Sequence, residues 1–333
     1  MSDVGAPALP RHIQMNYLPV GLFGSVMGLT GLSVAWRLAS IQFGGPSWLS
    51  HLSPAIGFVA IAAFVAMAAG YALKALTDFS AARAEFRHPI AGNLFGTPLI
   101  SLLLLPIIVA PYSLILARIL WSAGAIGMTA FAWLIISRWM SDRQQVAHAT
   151  PAWIIPVVGL LDVPLALPTL ELPPMHGLMV FALAVGLFFA VPLFTMILSR
   201  LLFEPPLPDA LKPSLLILVA PFAVGYSTYT LTTGKTDIFS QALFMLTLFM
   251  LTVLLGQMRN LPLCCPFRVS WWAVSFPLAA SAIAALRFAA ADKSVISNAI
   301  AMVLLALATL VIAGLFLRTL LGFAKGELRT LST

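Results

Sequence analysis

Charged side chains are scarce in this sequence. Asp, Glu, Lys and Arg together make up 9% of its 333 residues, against about 25% in a soluble domain that must present polar groups to water. That excludes a water-soluble globular fold, and an apolar content of 61% equally excludes a disordered chain. Cysteine is nearly absent: Cys264 and Cys265 are the only two, and they are adjacent. Neighbouring cysteines suit neither a disulfide nor a metal site, so a disulfide-stapled secreted scaffold is excluded as well. The formal net charge is +7, but the 18 basic residues are spread singly and make no patch for nucleic acid. His12, His51, His88, His148 and His176 lie near the ends of apolar runs on opposite sides and form no ligand set. Zinc-protease, Walker and hydrolase-elbow motifs are missing. No metal, no cofactor and no catalytic constellation is expected, and the chain is not read as an enzyme.

Long apolar runs fill the sequence instead, and the mean hydropathy is +1.01. One helical crossing of a bilayer takes about 20 apolar residues, so the composition supplies about ten crossings and leaves little for a soluble domain. Stretches bounded by charge or by Pro/Gly clusters fall at 17–38, 54–76, 92–111, 114–137, 151–170, 175–198, 214–233, 238–257, 269–287 and 296–317. Runs this long suit helices, not the alternating strands of about ten residues that build a barrel. The expected fold is an all-α polytopic membrane protein with ten transmembrane helices embedded in a lipid bilayer. Arg11 and His12 precede an apolar run as in a signal peptide, but that run exceeds 20 residues and others follow, so it is read as an uncleaved first span. Residues 1–16 are then an N-terminal tail, 17–317 the ten-helix domain and 318–333 a C-terminal tail.

Basic residues set the orientation. With the N-terminus in the cytoplasm, the inner side holds Arg11, Lys74, Arg83, Arg87, Arg138, Arg143, Arg200, Lys212, Arg259, Arg268, Arg318, Lys325 and Arg329. The outer side holds only Arg37, Lys235, Arg287 and Lys293. This positive-inside bias places both tails in the cytoplasm and the protein in the cell (inner) membrane. Connections after spans 3, 5, 7 and 9 are short, and short loops join antiparallel neighbours, so the chain reads as five helical hairpins.

Proline repeats with the hairpins. Pro98, Pro156, Pro221 and Pro277 lie a few residues into spans 3, 5, 7 and 9, and Pro19 lies just inside span 1. A proline removes a helical hydrogen bond, and the freed carbonyl needs protein or a water-filled cavity beside it. The odd helices are therefore expected to form an inner pore ring. Small residues agree: Gly21, Gly24, Gly28 and Gly31 share one face of span 1, and Gly96, Thr97, Gly159, Gly225, Ala279 and Ala280 lie near the other prolines. Close helix packing is the alternative meaning of such a stripe. Deep in the spans, Asp162 and Arg118 are candidates for an intramembrane charge pair, since an unpaired charge there is costly.

The segment LPVGLFGSVMGLTGLSVAW from Leu18 resembles the first helix of the tellurite-resistance and slow-type anion channel family, also labelled dicarboxylate transporters. FRHPIAGNLFGTPLISLLL from Phe86, ILWSAGAIGMTAFAW from Ile119 and FRVSWWAVSFPLAAS from Phe267 are similar to its later signatures. The resemblance implies a homotrimer with a pore in each protomer, moving small anions and occluded by a phenylalanine on the ninth helix. That role falls on Phe276, directly before Pro277. The function implied is a gated anion channel. The alternative is a proton-coupled secondary transporter for dicarboxylates, sulfite or tellurite-type oxyanions, which Asp162 keeps open.

Overall fold

The computed structural model describes residues 17–44, 47–261 and 265–332. Among them there is no strand, and ten helical segments are long and apolar enough to cross a membrane. These spans are numbered 1 to 10: Val20–Phe43, His51–Thr77, Ala91–Val109, Leu114–Ser141, Pro151–Leu170, His176–Phe203, Asp209–Thr233, Ile238–Met258, Val269–Asp292 and Val295–Ala324. Each coincides with a stretch read from hydropathy. Span 10 runs on to Ala324, so residues 318–324 continue its helix. The expected N-terminal tail 1–16, with Arg11 and His12, and Cys264 lie outside the described residues, and Cys265 is buried.

Odd and even spans differ in both backbone and burial. Even spans are continuous α-helix, whereas each odd span starts as a 3-10 helix: Val20–Phe23, Ala91–Phe95, Pro151–Ile154, Asp209–Val219 and Val269–Val274. Each then widens into an α-segment beginning at Gly24, Gly96, Ile155, Ala220 or Ser275. The repeated prolines mark these junctions. Pro156 and Pro221 are the second residue of their α-segments, and Pro98 and Pro277 the third. In the first turn of a helix the missing N–H has no partner to lose, so proline starts the α-segment without breaking it. The even-span prolines, Pro54 and Pro192, lie inside uninterrupted helix.

Between 67% and 83% of each odd span's most apolar stretch is buried, against 11% to 39% for the even spans. The odd spans therefore make the interior, and the even spans turn side chains such as Trp133, Phe188 and Phe249 outward. Consecutive odd spans pack side by side, and span 9 returns to span 1. Each even span packs on the odd span that precedes it.

Glycine sets the closest approaches. A Cβ on Gly28 would collide with Ser275, and one on Gly31 would come within 2.8 Å of the Ala279 Cβ, so spans 1 and 9 touch with almost no side chain between them. At the start of span 1, Glu85 from the helix Phe79–Arg87 accepts from the Val20 N–H at 2.8 Å and pairs with buried Lys74 at 2.7 Å. Lys74 also donates to the Leu18 carbonyl at 2.7 Å. One buried ion pair thus satisfies donors and acceptors at a helix end that has no water to do so.

Gly28→Val should destabilise the protein by about 1–3 kcal/mol, the usual cost of overpacking. Gly256→Ala on exposed span 8, where a Cβ meets nothing within 4 Å, should be close to neutral. Thermal unfolding of the two variants in detergent checks the contrast.

Candidate functional site

Three cavities follow one another along the axis of the odd spans. The first, about 190 Å3, is bordered by Pro19, Ile90, Thr150, Ala210 and Arg268, which stand at or near the starts of the five odd spans. This is the near mouth, and Leu331 and Ser332 of the C-terminal segment border it too. A central cavity of about 70 Å3 shares Gly21, Leu94, Ile217 and Ala273 with the near mouth. A far cavity of about 150 Å3 lies beyond it. Every residue bordering the central and far cavities belongs to an odd span.

The central cavity lies at the level of the 3-10 to α junctions. Gly24, Thr97, Ile155, Ala220 and Phe276 border it, and each is the first or second residue of its α-segment. Hydroxyls of the odd spans approach carbonyls of their neighbours. Thr97 donates to Leu94 O at 2.7 Å with Val20 O of span 1 at 3.2 Å, and Ser275 donates to Trp272 O at 2.7 Å with Gly24 O of span 1 at 3.1 Å. Ser101 donates to Thr97 O at 2.8 Å with Phe23 O at 3.4 Å, and Thr228 donates to Leu161 O at 2.5 Å. These bonds hold the odd spans together and leave few free donors facing the cavity.

Among the described residues, Phe276 and Val224 alone border both the central and the far cavity. The Phe276 ring is 8% exposed and is held by apolar neighbours. It lies beside Gly31, where an added Cβ would be 3.8 Å from its Cδ2. Pro277 also borders the central cavity.

The small residues divide into two groups. Gly24, Thr97 and Gly159 border the central cavity. Gly28, Gly96 and Gly225, expected to line a pore, border neither the central nor the far cavity and serve helix packing. A Cβ on Gly96 would come within 2.7 Å of Ile155, and one on Gly225 within 3.0 Å of Leu187. The spacing that puts glycines on one face is the same for both uses, so sequence alone did not separate them.

The expected pair between Arg118 and Asp162 is not formed. Arg118 donates from Nε to Leu170 O and from Nη2 to Glu171 O, both at 2.8 Å, and so caps the C-terminal end of span 5. No ion pair among the described residues joins it to Asp162. Eight residues separate Asp162 from Leu170, and the 3-10 stretch Gly159–Ala166 stretches that interval to about 12–16 Å at 1.5–2.0 Å per residue. Asp162 instead borders the central cavity, 2% exposed, with its Oδ1 unpartnered. Arg37 and Arg287, expected near the outer surface, border the far cavity. No acidic residue borders that cavity.

The fold and cavities define a class: a ten-helix polytopic membrane protein whose buried, interrupted spans surround an axial series of chambers. The chain belongs to the voltage-dependent anion channel family, SLAC1, whose model matches residues 17–320. It is 30% identical over 332 residues to the S-type anion channel SLAH3 of Arabidopsis thaliana, covering 94% of this chain and 50% of that protein. It is 27% identical to the guard cell S-type anion channel SLAC1 of the same plant, covering 94% of this chain and 58% of that protein. The chain thus spans about half the length of these plant relatives. The tellurite resistance protein TehA homolog of Haemophilus influenzae is 27% identical over 285 residues, covering 81% of each chain.

Arg118→Gln should cost about 1–3 kcal/mol, the worth of charge-assisted bonds to otherwise unpartnered carbonyls. Combined with Asp162→Asn it should be additive to within about 0.5 kcal/mol, because the two side chains share no contact. A double-mutant cycle on thermal stability checks this, and a larger coupling energy would restore the pair.

Proposed function

We propose that the protein is a gated channel for small anions, with one pathway along the axis of its odd spans and Phe276 as the barrier. The observation that carries the reading is the position of Phe276 and Val224 between two cavities lined wholly by odd spans. A buried aromatic ring at a constriction blocks hydrated ions sterically and by dewetting, and a rotamer change opens the way. Packing holds the ring without polar bonds, so its displacement requires no hydrogen bond to break. The family membership and the anion-channel names of the plant relatives support the ion class. The role proposed is transport, not catalysis.

In this reading the near mouth faces the cytoplasm, both tails are cytoplasmic, and the protein lies in the cell membrane. The thirteen-to-four distribution of basic residues supports that orientation. The ten helices act as five hairpins around a pore in each protomer, and the assembly is a homotrimer. Outward-facing apolar side chains on the even spans offer surface to lipid and to neighbouring protomers.

One observation favours a second reading. Asp162 lies on the central cavity with an unpartnered oxygen, as a proton-carrying group of a coupled carrier for dicarboxylates, sulfite or tellurite-type oxyanions would. A carboxyl there repels an anion when ionised and offers it a hydrogen bond when protonated.

Planar-bilayer recording of the reconstituted protein separates these readings. Phe276→Ala should raise anion conductance at least several-fold, and Phe276→Leu should raise it less because it keeps more bulk. If both variants fold and conduct no better than the parent, the barrier lies elsewhere. Asp162→Asn should retain current in a channel, whereas loss of all transport in a folded Asp162→Asn protein supports the coupled carrier.

A further inference from the structure

Arg37 and Arg287 both border the far cavity, and no acidic residue borders it to balance them. Arg37 comes from span 1 and Arg287 from span 9, which pack closely on each other at Gly28 and Gly31. Arg37 donates one bond, from Nη1 to Ile107 O at 3.2 Å. Buried Nε of Arg287 has no partner, and neither arginine forms an ion pair among the described residues. The acids at this end, Glu171, Asp237 and Asp292, do not border the cavity. Asp237 is committed elsewhere: it accepts from the N–H groups of Phe239 and Ser240 at 3.1 Å and from the Tyr229 hydroxyl at 2.6 Å. The Tyr229 bond, together with these backbone bonds, holds its carboxyl below the usual carboxylate range.

A third polar side chain borders the same space. Thr30 borders the far cavity, is 0% exposed, and its hydroxyl has no hydrogen-bond partner. Threonines in the helices normally donate to the carbonyl one turn back, as Thr232, Thr247, Thr309 and Thr319 do here at 2.7–2.9 Å. Thr30 forgoes that bond. Beyond the cavity, Arg287 and Leu38 also border an outer recess together with Lys293, so positive charge continues toward the far surface.

Two like charges in one apolar-walled chamber repel each other and are poorly hydrated unless an anion sits between them. We propose that the far cavity is a binding subsite for one small oxyanion, held by the guanidinium groups of Arg37 and Arg287. A guanidinium fork matches two oxygens of a planar or tetrahedral anion, whereas a spherical halide takes only one direction of contact. The cavity volume of about 150 Å3 admits such an ion with some of its water. The subsite loads anions on the far side of Phe276 and rests on the anion-transport reading above.

The test is calorimetric titration of nitrate and of chloride into the full-length protein in detergent, beside bilayer recording of the same preparations. Nitrate should bind the parent more tightly than chloride. Arg37→Gln and Arg287→Gln should each weaken nitrate binding roughly tenfold or more, the worth of a charge-assisted bond. Arg287→Lys, which keeps the charge and guards against a folding failure, should retain binding but lose most of the preference for nitrate. Equal nitrate affinity in the parent and both Gln variants, or no nitrate binding by a protein that conducts nitrate, overturns the subsite. Binding that depends on both arginines in a protein carrying no current supports the subsite and overturns the channel reading instead.

Discussion

Backbone hydrogen bonding in lipid is the constraint from which the rest of this structure follows. A helix that changes from 3-10 to α partway across a bilayer must satisfy its backbone within the protein, because lipid offers no partners. All five odd spans make that change, at Gly24, Gly96, Ile155, Ala220 and Ser275. Such spans belong inside, where Thr228 donates across to Leu161 O and the hydroxyls of Thr97, Ser101 and Ser275 lie within 3.1–3.4 Å of carbonyls of span 1. The uninterrupted even spans need no such help and form the outer layer. Because the five junctions fall at one level, the spans cannot pack evenly there, and the central cavity opens at that height.

Charge along the axis is graded by the same arrangement. The near mouth carries Arg268, the central cavity holds Asp162, and the far cavity holds Arg37 and Arg287. An anion moving along this line meets cationic groups at both ends and a carboxyl beside the apolar barrier. Weak attraction at the ends with no strong trap at the centre suits passage, since tight binding at mid-membrane slows release. Asp162 is the group through which protons enter this balance in the carrier reading.

Much of the architecture was legible in the sequence, because hydropathy over twenty residues reports bilayer crossing directly. The prolines were legible too: Pro98, Pro156, Pro221 and Pro277 mark spans that differ from the rest. What they mark was not, since choosing a 3-10 turn over an α turn changes hydrogen-bond partners without changing composition. The depth of Asp162 relative to Arg118 was misjudged for that reason, as α-helical rise does not apply across Gly159–Ala166. Arg37 and Arg287 were read as surface charges because each was taken to end its span. The helices run on to Phe43 and Asp292, which leaves both arginines more than a turn inside. Thr30 gave no signal at all, for an unused hydroxyl is visible only once its helix has neighbours.

The central claim is that ions pass inside the circle of odd spans of a single protomer. Thiol-reagent block in reconstituted protein lacking Cys264 and Cys265 tests it most directly. Ala280→Cys places a thiol on the wall of the far cavity, and Met245→Cys places one on the exposed face of span 8. A small charged reagent should abolish anion current through the Ala280→Cys protein and leave the Met245→Cys protein unaffected. Block at Met245→Cys with Ala280→Cys untouched would put the path on the outer surface and contradict the account.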